Sequence, residues 1–147
     1  MEPVVESEAL KERMTEIFQT MKVPGLSATI REVSYEAGTV TLEFDVADSL
    51  ENPFGAVTGG IVSTLLDACL GIAGSVKSGG TLAMPLAEMK TSFVRPVIPG
   101  KVLGKGETVR LGKGLAFIEG TLLSPSGVVL ARASGTASPL PWPTSKS

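Results

Sequence analysis

The sequence predicts an α+β domain in which a curved antiparallel β-sheet wraps around one long central helix. Two observations carry this. Only one long segment, Gly59 to about Lys77, keeps apolar residues at helical spacing throughout, while the stretches around it alternate with period two between short turn-forming runs. Gly104 and Gly106 then fall inside one of the later strands, as in a sheet that curves or bulges around something. The length of 147 residues suits one domain over 1–147, and a hydrophobic content of 43% is enough to fill its core.

The elements follow in chain order. Leu10, Met14, Ile17, Phe18 and Met21 recur at three-and-four spacing, giving an N-terminal helix over about 7–22. Ser7 and a Glu-rich first turn suit its start, and Pro24-Gly25 its end. Leu26, Ala28 and Ile30, then Val40, Leu42, Phe44 and Val46, each mark one face of a strand, with Ala37-Gly38 as the turn of a hairpin. Asp48 to Thr58 is a loop rich in turn residues. In the long helix, Ile61, Val62, Leu65, Leu66, Cys69, Ile72, Ala73 and Val76 share one side, and Ser63, Thr64, Asp67, Gly71, Gly74 and Ser75 the other. Interior glycine costs a helix about 1 kcal/mol relative to alanine, so that small face is expected to be covered by a strand, a second subunit or a ligand. Strands are expected near Ala83–Arg95, Gly100–Arg110, Leu115–Ser124 and Val128–Ala137. The core thus runs over about 26–138, and 139–147 reads as an irregular tail.

Composition excludes several chemistries. The chain has no histidine, which removes Ser-His-Asp and Cys-His nucleophiles, imidazole acid–base work and His-ligated metals. A single cysteine excludes an internal disulfide framework or a multi-cysteine zinc site. A net charge of −2 leaves no basic excess for nucleic acid. The N-terminus lacks the pattern of a secretory signal, and no apolar run reaches the ~18 residues of a membrane span, so a cytoplasmic protein with no membrane partner is expected.

Two constellations remain. Thr58 can cap the long helix, leaving the amides of Gly59 and Gly60 to hold a thioester carbonyl oxygen; a plain helix start is the other reading. Asp67 is the only acid between Glu51 and Glu88 and projects from an otherwise small or apolar surface. Desolvation would raise its pKa, as for a general base or nucleophile, whereas Ser63, Thr64 or a backbone group could equally satisfy it as a structural aspartate. Eight residues, about 12 Å of helix at ~1.5 Å per residue, separate Gly59 from Asp67. They can meet one reacting carbon only from two subunits, so a two-fold dimer with composite sites is expected. Asn52 can hydrogen-bond a carbonyl or a water, or close an Asx-turn before Pro53. Lys90, Arg95, Arg110, Lys113 and Arg132 can reach phosphates of an extended ligand or simply face solvent. Cys69 reads as core.

The run from Asn52 through Thr58-Gly59-Gly60 to Asp67 resembles the signature of hotdog-fold acyl-CoA thioesterases, nearest to the phenylacetate-degradation (PaaI-like) branch. Ala87–Pro96, Arg110–Gly120 and Gly127–Thr136 are similar to that family's later strands, so the resemblance covers about residues 38–138. It implies a hotdog fold, a homodimer or dimer of dimers, and hydrolysis of an aryl or medium-chain acyl-CoA to acid and CoA. No metal or redox cofactor is implied, CoA being part of the substrate. Carried over, Gly59 polarises the carbonyl with Asn52 assisting, and Asp67 activates water or attacks. Thr58, Gly60, Leu86, Lys90, Arg95, Arg110 and Lys113 are the expected substrate-binding positions. Two of these depart from the pattern: Thr58 stands where the family has histidine, and Leu86 where a serine or threonine often helps the acid. A non-catalytic acyl-CoA binding or sensing protein on the same fold is the alternative that these departures leave open.

Overall fold

The computed structural model describes residues 1–19 and 22–143. Helix α1 (Ser7–Phe18) is followed by β1 (Leu26–Ser34), β2 (Thr39–Val46), a 3-10 turn (Asp48–Leu50) and the long helix α2 (Gly59–Lys77). Then come β3 (Leu82–Ala83), β4 (Leu86–Phe93), β5 (Gly100–Leu111), β6 (Ala116–Leu123), β7 (Val129–Ala137) and β8 (Leu140–Pro141). Six strands make one antiparallel sheet in the order β1-β2-β5-β6-β7-β4, and β3 pairs with β8 beside it. The expected α+β architecture, a curved antiparallel sheet around one helix, is what forms.

Close approach of α2 to the sheet depends on missing side chains. A Cβ at Gly104 would lie 2.6 Å from Cys69 Sγ and 2.7 Å from the Phe44 ring. At Gly106 it would overlap the Cys69 carbonyl oxygen, and at Gly120 and Gly135 it would stand 2.6 Å from Leu70 methyls. Gly106 lies opposite Gly120 in the ladder, so glycines of β5, β6 and β7 form the bed on which α2 rests. The register shift of this hairpin lies at Thr108/Arg110 instead, so Gly104 and Gly106 serve close packing rather than a bulge. Leu66, Cys69, Leu70, Ala73 and Val76 are fully buried there, each large aliphatic side chain contributing about 2–3 kcal/mol of burial. Length and composition alone would let α2, with 19 residues, cross a membrane, contrary to the expectation from apolar runs. More than half of it is instead buried as a core helix.

Several local expectations are corrected. Helix α1 is capped by Glu6 rather than Ser7: the carboxylate accepts from the amides of Glu8 (3.1 Å) and Ala9 (2.8 Å). It ends at Phe18, and Met21 lies outside the described residues. A bulge after Ile30 carries β1 out of strict alternation, so that Val33 turns inward; Ala28, before the bulge, is exposed. The single strand expected over Ala83–Arg95 is two, because Pro85 lacks the amide that would continue the ladder. The tail is not irregular throughout, since Leu140 and Pro141 pair with Ala83 and Leu82.

Candidate active site

The segment leading into α2 is folded by Asn52. Its side-chain oxygen accepts from the amides of Phe54 (2.9 Å) and Ala56 (3.2 Å), and its own amide donates to the Ala56 carbonyl at 2.6 Å. This is the Asx-turn reading of Asn52. The oxygen is spent on the loop, and the side-chain NH2 is the end that can address a ligand.

Thr58 occupies the N-cap but makes no side-chain capping bond. Its carbonyl accepts from Ile61 (2.9 Å) and Val62 (3.1 Å), so the helix is started by the backbone, which corrects the expected role of the hydroxyl. Among the described residues, no backbone acceptor takes the amides of Gly59 or Gly60. A Cβ at Gly59 would touch the Phe93 ring at 3.4 Å, and one at Gly60 would meet nothing within 4 Å. The first turn of α2 therefore offers two open donors at the positive end of a long helix, with one aromatic ring alongside.

Asp67 stands two turns further on, exposed in the isolated chain. No hydrogen bond or ion pair to it occurs among the described residues, and the Thr64 hydroxyl instead donates to the Gly60 carbonyl at 3.0 Å. The structural reading, an aspartate satisfied by Ser63, Thr64 or a backbone group, is not what forms among the described residues. Partial burial raises the carboxyl above the usual aspartate value of 3.8, with no neighbouring cation to oppose it. Asp67 lines a cavity of about 250 Å³ together with Phe18, Gly71, Met84, Leu86 and Trp142. Leu86 lines the same cavity as the acid and brings an apolar side chain to it.

The small face of α2 is not covered along its whole length, as the pattern had suggested. At Gly74 a Cβ would stand 2.7 Å from Met84 Cγ and Ile118 Cδ1, and Ser75 is buried with its hydroxyl 3.6 Å from Met14 Sδ. Ser63, Thr64, Asp67 and Gly71 retain access, and nothing lies within 4 Å of a Cβ at Gly71. Gly71, Phe18 and Trp142 were not singled out as site residues by the sequence. Glycine at i+4 from the aspartate was the available signal for the first, because it shares the acid's face.

The five cations are not brought together. Arg110 and Lys113 sit at the β5–β6 turn, at the same end of the sheet as Leu86 but with β6 and β7 between them. Arg95 follows the opposite end of β4 and donates to the Val129 carbonyl at 2.8 Å. Lys90 lies opposite Ser134 in the ladder, and Arg132 opposite Thr121 and Ser92. Cys69 is fully buried and its thiol is pushed well above its usual range, which leaves it a core residue. Among the described residues, no group of three acidic or cysteine side chains is placed to hold a metal ion.

An antiparallel sheet wrapped around one long central helix is the hotdog architecture. The thioesterase superfamily model matches residues 54–131, and the chain belongs to that superfamily. A Thermoplasma acidophilum protein named as an esterase, Ta0293, is 24% identical over 106 residues, covering 71% of this chain and 80% of its own. A Ralstonia eutropha structure described as a phenylacetic acid degradation-related thioesterase is 25% identical with a TM-score of 0.74, covering 86% of this chain and 98% of that one. The Streptococcus mutans protein smu.793, solved bound to acetyl-CoA, matches with a TM-score of 0.68 and 22% identity over 83% of this chain and 94% of that one.

Proposed function

We propose that the chain hydrolyses an acyl-CoA thioester to the free acid and CoA, using Asp67 of one subunit and the Gly59 amide of a second. The observation that carries this is the unpartnered Asp67 carboxylate in the wall of a cavity, on the same helix as two open N-terminal amides. Superfamily membership supports the reaction class, and the acetyl-CoA held by the Streptococcus mutans relative supports the ligand. In the step proposed, the carboxylate takes a proton from water as the water oxygen attacks the thioester carbon. The carbonyl oxygen gains charge and accepts from the Gly59 N–H. The C–S bond then breaks and CoA leaves as thiolate, which recovers a proton. Direct attack by Asp67, through a mixed anhydride that water then opens, uses the same geometry.

A dimer is needed because ~1.5 Å per residue puts the two groups about 12 Å apart on one helix. Two features support it. Strand β4 has β7 on one side and no strand on the other among the described residues, leaving a ladder edge for a second copy. Phe54 (93% exposed), Phe93 and Ile98 are exposed apolar side chains, and the Phe93 ring lies beside Gly59 at the α2 N-terminus. Thiol release from a panel of acyl-CoAs by the wild type and Asp67→Ala tests the reading. Loss of at least about 100-fold in kcat is expected, and Asp67-independent turnover would overturn it. Mixing Asp67→Ala subunits with subunits bulky at Gly59 is expected to restore part of the activity. No recovery under verified subunit exchange would rule out the shared site.

A further inference from the structure

In the strands that carry the glycine bed, every second side chain points away from α2, onto the outer face of the sheet. The strand register lines these side chains up in rows. Leu103, Leu123 and Val129 make an apolar row, and Lys105, Thr121 and Arg132 a basic row beside it. Glu107, Glu119 and Ser134 make the next row, which is acidic. In the last, Phe117, 42% exposed, stands between Arg110 and Thr136. The charges of the two middle rows are not settled within the chain. Glu107 and Glu119 lie directly opposite each other, an arrangement that destabilises a ladder. Among the described residues, no ion pair or hydrogen bond engages either side chain, nor those of Lys105 and Arg132. Elsewhere on the same face the chain does neutralise its acid, since Glu43, in the row of Leu103, is held between Arg31 and Lys101.

We infer that this outer face docks, back to back, on the same face of a second copy of the chain. The order of the rows is the reason: apolar, basic, acidic and apolar again is its own complement when reversed. A two-fold axis between the middle rows, running across the strands, makes that reversal. It sets Lys105 over the second copy's Glu107, Thr121 over its Glu119 and Leu123 over its Phe117. The opposed glutamates then gain cations from outside the chain, and Phe117 gains an apolar surface to lie on. Packed sheets stand about 10 Å apart, which short side chains such as Thr41, Thr121 and Ser134 permit. An open hollow of about 350 Å³ among Thr41, Lys105, Glu119 and Thr121 gives the second copy's longer side chains space to enter. This surface is separate from the β4 edge, and the inference does not depend on the hydrolysis reading. Pairing through β4 would join two outer faces into one continuous docking surface.

Sedimentation velocity of the full chain over a concentration series tests this. Lys105→Glu and Glu107→Lys each place like charges over one another, twice in a two-fold contact. Each is expected to weaken association through this face at least about 100-fold, because facing like charges are strongly unfavourable at an interface. The double variant Lys105→Glu/Glu107→Lys exchanges the two charges and faces opposite signs again. It is expected to recover association to within about ten-fold of wild type, a coupling that independent sites would not show. Phe117→Ser probes the apolar rows and is expected to weaken association about ten-fold, as loss of a buried aromatic contact does. Both charged residues are exposed, so thermal melting is expected to stay close to wild type, which separates lost docking from lost folding. Equal sedimentation of the wild type and both single reversals would overturn the assignment. So would a double variant that associates no better than the singles. Hydrolysis is judged apart from this, by Asp67-dependent thiol release, which all three charge variants are expected to keep.

Discussion

The two faces of α2 use the same residue type for opposite ends. Against the sheet, glycines in the strands remove side chains so that the helix can come close, and Gly74 does the same on the helix itself, where a Cβ would press on Met84 and Ile118. On the other face, Gly60 and Gly71 leave space that no described part of the chain fills, and Gly59 has only the Phe93 ring beside it. The packed face has little freedom because interiors are close to crystal density. The open face carries the only carboxylate on the helix, without a partner to stabilise its charge. A glycine therefore marks either a tight contact or a site, and only the distance to its neighbours tells which.

The sharpest way to separate the faces is Asp67→Asn. Activity is expected to fall by about 10³-fold, since general-base catalysis contributes roughly 10²–10⁴. Stability is expected to hold or rise. The sign follows from the raised pKa: the folded state binds the Asp67 proton more tightly than the unfolded chain, so ionisation at neutral pH costs folding free energy that asparagine avoids. A Tm below wild type would show that the carboxylate has a structural partner. In the wild type, kcat/KM is expected to fall as pH is lowered through a value above 3.8, the ordinary aspartate pKa. A pH profile flat through the acid range would exclude the ionised carboxylate as the base.

The opposite signature is expected on the packed face. Gly106→Ala places a methyl on the Cys69 carbonyl, and the backbone of a buried helix cannot step aside as a flexible side chain can. Overpacking of this kind costs about 3 kcal/mol, at the upper end of the usual range. Denaturant unfolding measures it. The residual folded enzyme is expected to keep its substrate preferences, because α2 shifts as a unit. A loss under 1 kcal/mol would mean that the helix rides higher on the sheet than described.

How far this contrast was legible beforehand differs by element. The long helix, the hairpin and the later strands follow from periodicity, because each keeps one face buried over many residues. Asp67 and the Gly59-Gly60 pair were also visible, as an acid alone on a small face and as donors at a helix start. What Gly104 and Gly106 do was not: a curving strand and a strand approached by a helix look alike until the neighbour's position is known. Pro85 was read through because an alternating pattern on both sides masked the lost amide. Trp142 escaped since its role comes from β3, some sixty residues earlier, through a two-residue pairing with no local signal. Which of the five cations are neighbours was hidden for the same reason, as ladder position rather than sequence spacing decides it.

Gly74→Ala probes the boundary between the two regimes. Alanine gains about 1 kcal/mol of helix propensity, but its methyl meets Met84 Cγ and Ile118 Cδ1, both at 2.7 Å. Ile118 Cδ1 is a side-chain end and Met84 Cγ belongs to a flexible side chain, so both can move at a cost of about 1–3 kcal/mol. A net loss of about 1 kcal/mol is expected, less than at Gly106, where backbone is struck. Equal losses at the two positions would mean that Met84 is as fixed as the helix backbone.

Gly71→Ala should give the smallest change and the most informative sign. Nothing lies within 4 Å of the added methyl, so the helix-propensity gain is not offset by a clash. Stability is expected to increase by about 0.5–1 kcal/mol. The same methyl projects into the cavity shared with Asp67 and Leu86, where it takes volume from the acyl group. A modest rise in KM is therefore expected, greater for bulkier acyl groups, with little change in kcat because the acid and the amides are untouched. A more stable enzyme that binds its substrate less well would show that this glycine is kept for space rather than for folding. A less stable one would mean that the face is covered in the assembled protein, and that the subunit interface reaches one turn beyond the acid.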